Sequence, residues 1–220
     1  MKPHALRYAL LTYRLDQIWL PLGFWALFVI LCLFLPEKLT TVARGYLGFV
    51  VPLMGGVLAA YAVLDDPALE LRFAAPVLAS RTLLERLGTI LFFQMISAWA
   101  FQGFCWIMGE NLAVLGGGWW GVQLAWLVPT LALMALGISG ALLAAQPMGG
   151  ALLVGVLWFF QLILRGWLAS HAVGRYFLVF MRAAYPELPW LAANEISVAV
   201  WAALLLVGAW ALLQRQERYL

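Results

Sequence analysis

One short motif in this 220-residue chain has the form of a catalytic serine site. The run GISG, residues 137–140, matches the Gly-x-Ser-Gly pattern that surrounds the nucleophile of some intramembrane proteases. Ser139 would need a base to take its proton. The two histidines, His4 and His171, are predicted to lie in the N-terminal segment and in a loop, so neither is placed inside a neighbouring span. The sequence therefore argues against a serine protease.

A second candidate is the adjacent acidic pair Asp65 and Asp66, which resembles half of a metal-diphosphate site of the prenyltransferase kind. No second acidic cluster follows it. Because Pro67 comes next, the Asp66 carboxylate is better suited to cap the first turn of a helix. The sequence also lacks the HExxH zinc motif and the P-loop motif, so the chain is predicted to be no enzyme and to bind no cofactor itself.

Composition identifies the elements that carry these residues. Hydrophobic residues make up 65% of the chain, charged residues 10%, and the mean hydropathy is +0.95, whereas soluble domains hold roughly 25% charged residues. A membrane-crossing helix needs about 20 apolar residues. We predict an all-α integral membrane protein, because the apolar runs are too long for barrel strands. The six predicted transmembrane helices are residues 16–35, 45–64, 87–108, 119–143, 147–165 and 195–213.

The distribution of Lys and Arg predicts the orientation. With the N-terminus inside, the cytoplasmic segments hold eight of these residues and the opposite side five. Both termini are therefore expected in the cytoplasm of a multi-pass membrane protein. The net charge of +3 follows from this bias and gives no reason to expect nucleic acid as a partner. Residues 1–15 are expected to form an interfacial amphipathic helix, since Arg7 and Arg14 share one face.

Several tryptophans and two cysteines have simple structural interpretations. The tryptophans near span ends are expected to anchor the chain at headgroup depth rather than to form an aromatic cage for a ligand. Those on the side opposite the cytoplasm are Trp106, Trp119, Trp120, Trp167 and Trp190. Cys32 and Cys105 fall inside predicted spans and are expected to pack as small apolar residues.

The stretch 64–88 concentrates charge, with seven of the chain's 23 acidic and basic residues. Asp66 and Pro67 predict a helix start, and Pro76 limits that helix to about two turns. After Pro76 the next helix start is offered by Ser80, or by Thr82 with Glu85 three residues on as a capping box. The segment 65–80 is thus predicted to be a short cytoplasmic helix that presents a rigid surface to a partner.

This stretch resembles the segment after the second span in permease subunits of the ABC type-2 transporter family. The resemblance lies in Ala-Leu-Glu-Leu at 68–71, Ala-Pro-Val at 75–77, Ser-Arg at 80–81 and Leu-Leu at 83–84. The family commonly has Gly-Thr where this chain has Pro67-Ala68, and an aliphatic residue where it has Arg72. The six-span layout, the basic N-terminus and the large segment before the last span are also similar to the family.

The resemblance implies how the chain would work. The 65–80 helix would dock on a separate ATP-binding cassette subunit, which binds ATP and Mg²⁺. A second permease copy and membrane lipids would be the other partners. The residues implied in coupling are Asp65, Asp66, Leu69, Glu70, Arg72 and Phe73. Residues 166–194 would correspond to a pair of short helices that dip back toward the membrane.

Polar residues inside the spans have two interpretations. Gln94, Ser97, Gln102 and Gln123 would line a substrate path, or they would form hydrogen bonds between helices worth about 0.6 to 2 kcal/mol each, and the second is favoured. Ion coupling is not expected, since Glu110 is the one charged residue between Arg86 and Arg165 and is placed in a loop.

Small residues and prolines predict local helix geometry. The pairs Gly140 with Ala144 and Ala151 with Gly155 are expected where helices approach closely. Pro52 and Pro129 are expected to kink their spans.

The predicted function is the permease subunit of an ATP-driven exporter that works by alternating access. Two alternatives stay open. One is a haem-export-type membrane subunit of cytochrome c maturation, suggested by length and span count. The other is a membrane scaffold or assembly factor with no transport role.

Overall fold

The computed structural model describes residues 16–65, 79–113 and 117–214, and within them the chain is helical with no strand. Eight α-helices are present in these ranges. They are α1 (Asp16–Phe34), α2 (Leu39–Gly45), α3 (Val51–Tyr61), α4 (Ala79–Ile107), α5 (Trp119–Ala144), α6 (Pro147–Ser170), α7 (Met181–Ala184) and α8 (Leu191–Leu213). The prediction of an all-α protein is confirmed for this part of the chain.

Five helical runs among the described residues are long and apolar enough to cross a membrane. They are Pro36–Tyr61, Leu83–Ile107, Trp119–Ala144, Pro147–Ser170 and Leu191–Leu213. The first predicted span corresponds to α1, whose apolar part, Trp19–Phe34, is shorter than these five. The architecture therefore fits a multi-pass membrane protein, and the count of long apolar helices among the described residues is five rather than six.

The second span begins earlier in the chain than its apolar pattern predicts. The chain is already helical at Pro36, passes through a 3₁₀ turn and α2, and continues through a π-helical turn at Tyr46–Val50 into α3. Pro52 lies just after the π-helical turn. Because proline has no N–H to donate, the regular hydrogen-bond ladder is interrupted at this position. Pro129, in contrast, lies within the unbroken helix α5.

Helix α5 is the centre of the bundle and packs against α3, α6 and α8. Some of its contacts with α3 and α6 are made backbone to backbone at glycines. A Cβ added at Gly137 would lie 2.2 Å from the carbonyl oxygen of Gly56, and one added at Gly150 would lie 2.2 Å from the carbonyl oxygen of Gly137. Such close approach maximises van der Waals contact, the main force between helices in lipid.

The two predicted small-residue pairs have different outcomes. A Cβ at Gly140 would lie 3.0 Å from the Leu153 side chain and 3.1 Å from Gly150 Cα, so this glycine is at a helix contact as predicted. A Cβ at Gly155 would meet nothing within 4 Å. Within the described part of this chain Gly155 is therefore not at a helix contact, contrary to the prediction.

The outer helices turn apolar side chains away from the protein. About two thirds of the apolar window of α5 is buried, against 17% for α6 and 22% for α8. The side chains of Phe159, Phe160 and Leu204 are each more than half exposed. An apolar surface of this extent is unfavourable in water and is the normal surface of a helix that faces lipid.

Candidate functional site

The predicted coupling residues lie almost entirely outside the described part of the chain. Asp65 ends the turn after α3 and is partly exposed. Asp66, Leu69, Glu70, Arg72 and Phe73 lie outside the described residues, so their role stays a prediction.

Helix α4 already includes Ala79. Thr82 therefore lies inside the helix, and the predicted capping box does not begin it. Glu85 instead pairs with Arg81, whose Nε donates to its carboxylate at 2.8 Å. Because both side chains lie on the exposed face of one helix, the pair contributes little to stability.

Ser97 and Gln94 have different surroundings on α4. The Ser97 hydroxyl is 2.7 Å from the Tyr46 hydroxyl, which lies in the π-helical turn of the second span. Tyr46 in turn packs on Phe101, with ring centroids 4.3 Å apart. The Gln94 amide is buried, and neither its nitrogen nor its oxygen has a hydrogen-bond partner among the described residues. Ser97 therefore joins two helices, whereas Gln94 carries an unused polar group in the interior.

Gln102 and Gln123 are brought together between α4 and α5. The Gln123 amide nitrogen donates to Gln102 Oε1 at 2.7 Å. Gln123 Oε1 accepts the indole N–H of Trp99 at 3.1 Å and that of Trp126 at 3.0 Å. A single amide therefore connects three side chains on two helices, as expected for hydrogen bonding between spans.

Beside this amide cluster lies a cleft of about 530 Å³ between the end of α4 and the start of α5. Its walls include Trp99, Gln102, Trp106, Glu110, Asn111 and Trp119. The cleft therefore combines aromatic rings, amides and one carboxylate. Of the four residues predicted for a substrate path, Gln102 lines this cleft directly, and Gln123 holds the Gln102 amide in place from behind.

The Ser139 motif has a structural use. Its hydroxyl donates to the backbone carbonyl of Leu205 at 2.9 Å, which ties α5 to α8. Cys32 and Cys105 are both buried and free, in agreement with their predicted packing role. Among the residues that the structure describes, no group of three His, Cys, Asp or Glu side chains is placed to hold a metal ion.

Polar residues near the start of α8 hold the segment between α6 and α8 in a way that the sequence did not reveal. The Asn194 amide donates to the carbonyls of Arg175 and Leu178 at 2.6 and 3.0 Å. From α6, Gln161 donates to the Phe177 carbonyl at 3.0 Å and accepts the Val179 N–H at 2.8 Å. Two side-chain amides thus satisfy backbone groups that the irregular segment cannot pair itself.

An ion pair adds to this arrangement. Arg182, on α7, makes a two-bond contact with the Glu195 carboxylate, with Nη2 to Oε2 at 2.9 Å. Both side chains are about 15% exposed. In the sequence, the feature that could have indicated this polar site is the pair of adjacent polar residues, Asn194 and Glu195, at the start of an otherwise apolar helix.

Comparison with protein-family models, with curated proteins and with solved structures finds no match to this chain.

Proposed function

We propose that the chain is the permease subunit of an ABC type-2 exporter, in which a separate ATPase subunit supplies the energy. In this proposal the chain crosses an inner membrane of prokaryotic type six times, with α1 as the first span and both termini in the cytoplasm. It pairs with a second permease copy. ATP and Mg²⁺ are bound by the partner ATPase.

The observation that carries the proposal is the distribution of charge. From the end of the 64–88 stretch to Arg165 the sequence holds one charged residue, Glu110, and this residue lies beyond the end of α4. Carriers driven by ion gradients use ionisable side chains at membrane depth. A membrane domain whose helices carry no charged residue between positions 87 and 164, with a charged connection just before them, fits a transporter that receives its energy at that connection.

The helix contacts support a route for this movement. Segment 65–80 joins α3 to α4. Because α3 touches α5 backbone to backbone at Gly56 and Gly137, a displacement of α3 is transmitted to α5 rather than absorbed by side chains. Helix α5 also packs on α6 and α8. Movement of one short segment would thus reach most of the bundle, as alternating access requires.

The test is a double substitution, Glu70→Ala with Arg72→Ala, in the chain assembled with its ATPase. We expect ATP hydrolysis to continue while transport is lost, with no change in the thermal unfolding of the membrane subunit. The matched control is Glu37→Ala with Lys38→Ala, which removes one exposed acidic and one exposed basic residue just before α2 and is expected to leave coupling unchanged. Normal transport by the Glu70/Arg72 variant would exclude segment 65–80 as the coupling element.

A further inference from the structure

The cleft at the end of α4 is lined by aromatic side chains and a carboxylate, which are needed neither for crossing the membrane nor for hydrogen bonds between the helices. Trp99 and Trp106 line it from α4, and Trp119 lines it from the start of α5. Glu110 lies in the connection between these helices and also lines the cleft. A volume of about 530 Å³ falls within the range of roughly 300 to 1,000 Å³ that is usual for small-molecule sites.

The Glu110 carboxylate has no neutralising partner within the described residues. It forms no ion pair and accepts no hydrogen bond there, although it is partly buried. No Lys or Arg in the described part of the chain lines the cleft. Arg44 and Arg182 line a separate cavity of about 30 Å³ that shares the walls formed by Leu112 and Val122. Among the described residues, Glu110 is therefore the one charged side chain in the lining of the larger cleft.

The indole rings add a second preference for positive charge. The π-face of a tryptophan attracts a cation with about 0.5 to 2 kcal/mol, and quaternary ammonium groups are recognised in this way. Trp99 is held in place, because its N–H donates to Gln123 Oε1. Trp106 and Trp119 have 77% and 55% of their surface exposed, so their rings are available to a ligand.

We propose that this cleft binds a monovalent organic cation, a protonated amine or quaternary ammonium group on an apolar body. Glu110 supplies the counter-charge and the indoles of Trp106 and Trp119 contact the cation, while the Gln102 amide forms part of the floor. In this proposal the tryptophans contact a ligand in addition to anchoring the chain at headgroup depth. The further claim that this cation is a transport substrate rests on the proposed permease function. Binding itself is measured on the chain without an ATPase and stands or fails separately.

The probe is 4-phenylbutyltrimethylammonium, compared with its neutral analogue that has carbon in place of the nitrogen. Binding to the purified full-length chain in a neutral maltoside detergent is measured by titration calorimetry and by tryptophan fluorescence. We expect the cation to bind about tenfold more tightly than the neutral analogue. Glu110→Gln should remove most of this preference, and Trp106→Leu should reduce it about fivefold.

The matched control is Glu187→Gln, since Glu187 is an exposed carboxylate in the 171–190 segment and does not line the cleft. This variant should bind both probes as the unaltered chain does. Equal affinity for the cation and its neutral analogue would overturn the proposal. A preference that survives Glu110→Gln and Trp106→Leu, in variants that unfold at the normal temperature, would also overturn it.

A lipid headgroup and a free amine carry the same chemistry, and a second comparison distinguishes them. The titration is repeated in nanodiscs of phosphatidylcholine and in nanodiscs of an uncharged galactolipid. Weaker apparent binding in phosphatidylcholine would show that the choline headgroup competes for the cleft. Equal binding in both would identify a free amine as the ligand. Loss of the cation preference in both kinds of disc would refute the site.

Discussion

The backbone contact between α3 and α5 makes a quantitative prediction for Gly137→Ala. The new Cβ would lie 2.2 Å from the Gly56 carbonyl oxygen and 3.3 Å from the Ala60 nitrogen. A carbon and a carbonyl oxygen normally approach to about 3.3 Å, so the two helices must separate by about 1 Å. Since the obstructing atoms are backbone, no rotamer change relieves the overlap. Overpacking of this kind costs about 1 to 3 kcal/mol, and we expect the upper end.

Gly155→Ala is the matched control, because it makes the same chemical change on a neighbouring helix where the Cβ meets nothing within 4 Å. Alanine favours a helix over glycine by about 1 kcal/mol, so this variant should be as stable as the unaltered chain or slightly more stable.

The assay is thermal unfolding of both variants in the same detergent, followed by tryptophan fluorescence. A loss of about 3 kcal/mol corresponds to a fall in Tm of roughly 6 to 12 °C for a chain of this length. If Gly137→Ala unfolds at the same temperature as Gly155→Ala, α3 and α5 do not touch in the way described, and the proposed transmission of movement between them fails.

Three further predictions concern polar contacts between helices. Tyr46→Phe and Ser97→Ala remove the same hydrogen bond, so a double-mutant cycle of unfolding free energies should show a coupling of about 1 kcal/mol, and additive effects would contradict the contact. Arg182→Gln leaves the largely buried Glu195 carboxylate without this partner, which should lower the free energy of unfolding by about 3 kcal/mol. Adding Glu195→Gln should recover part of that loss. A double variant that is less stable than Arg182→Gln would show that the two side chains do not stabilise the fold as an ion pair. Gln123→Leu removes the acceptor shared by two indole N–H groups and should lower Tm by an amount equivalent to about 1 to 3 kcal/mol, so an unchanged Tm would exclude the amide cluster.

The sequence predicted most of the helices because each long apolar run must satisfy its backbone hydrogen bonds internally. It failed at the start of the second span. Leu39–Gly45 carries two threonines and Arg44, which resemble a loop in a hydropathy pattern, yet it is helical and buries Leu39 and Ala43. Polar residues at the end of a span are compatible with a helix when one face still packs on the protein.

The packing partners of the polar residues were not predictable from the sequence. The helices are apolar on nearly every side, so periodicity does not identify which face meets another helix. Gly56 and Gly137 are far apart in the chain, and their contact depends on which helices are neighbours. The same holds for Ser97, whose partner Tyr46 lies on another span. A polar residue in a span predicts a hydrogen bond but not its partner.

The central claim is that this membrane subunit receives its energy from a separate ATPase through segment 65–80. The most direct measurement is isolation of the tagged full-length chain from its native membranes in mild detergent, with assay of ATP hydrolysis in the isolated complex. We predict that a P-loop ATPase subunit purifies with the chain in a fixed ratio. In the complex that carries Glu70→Ala and Arg72→Ala, ATP hydrolysis should continue while transport is lost. A chain that purifies without such a subunit and moves cargo into vesicles under a pH or sodium gradient would contradict the claim.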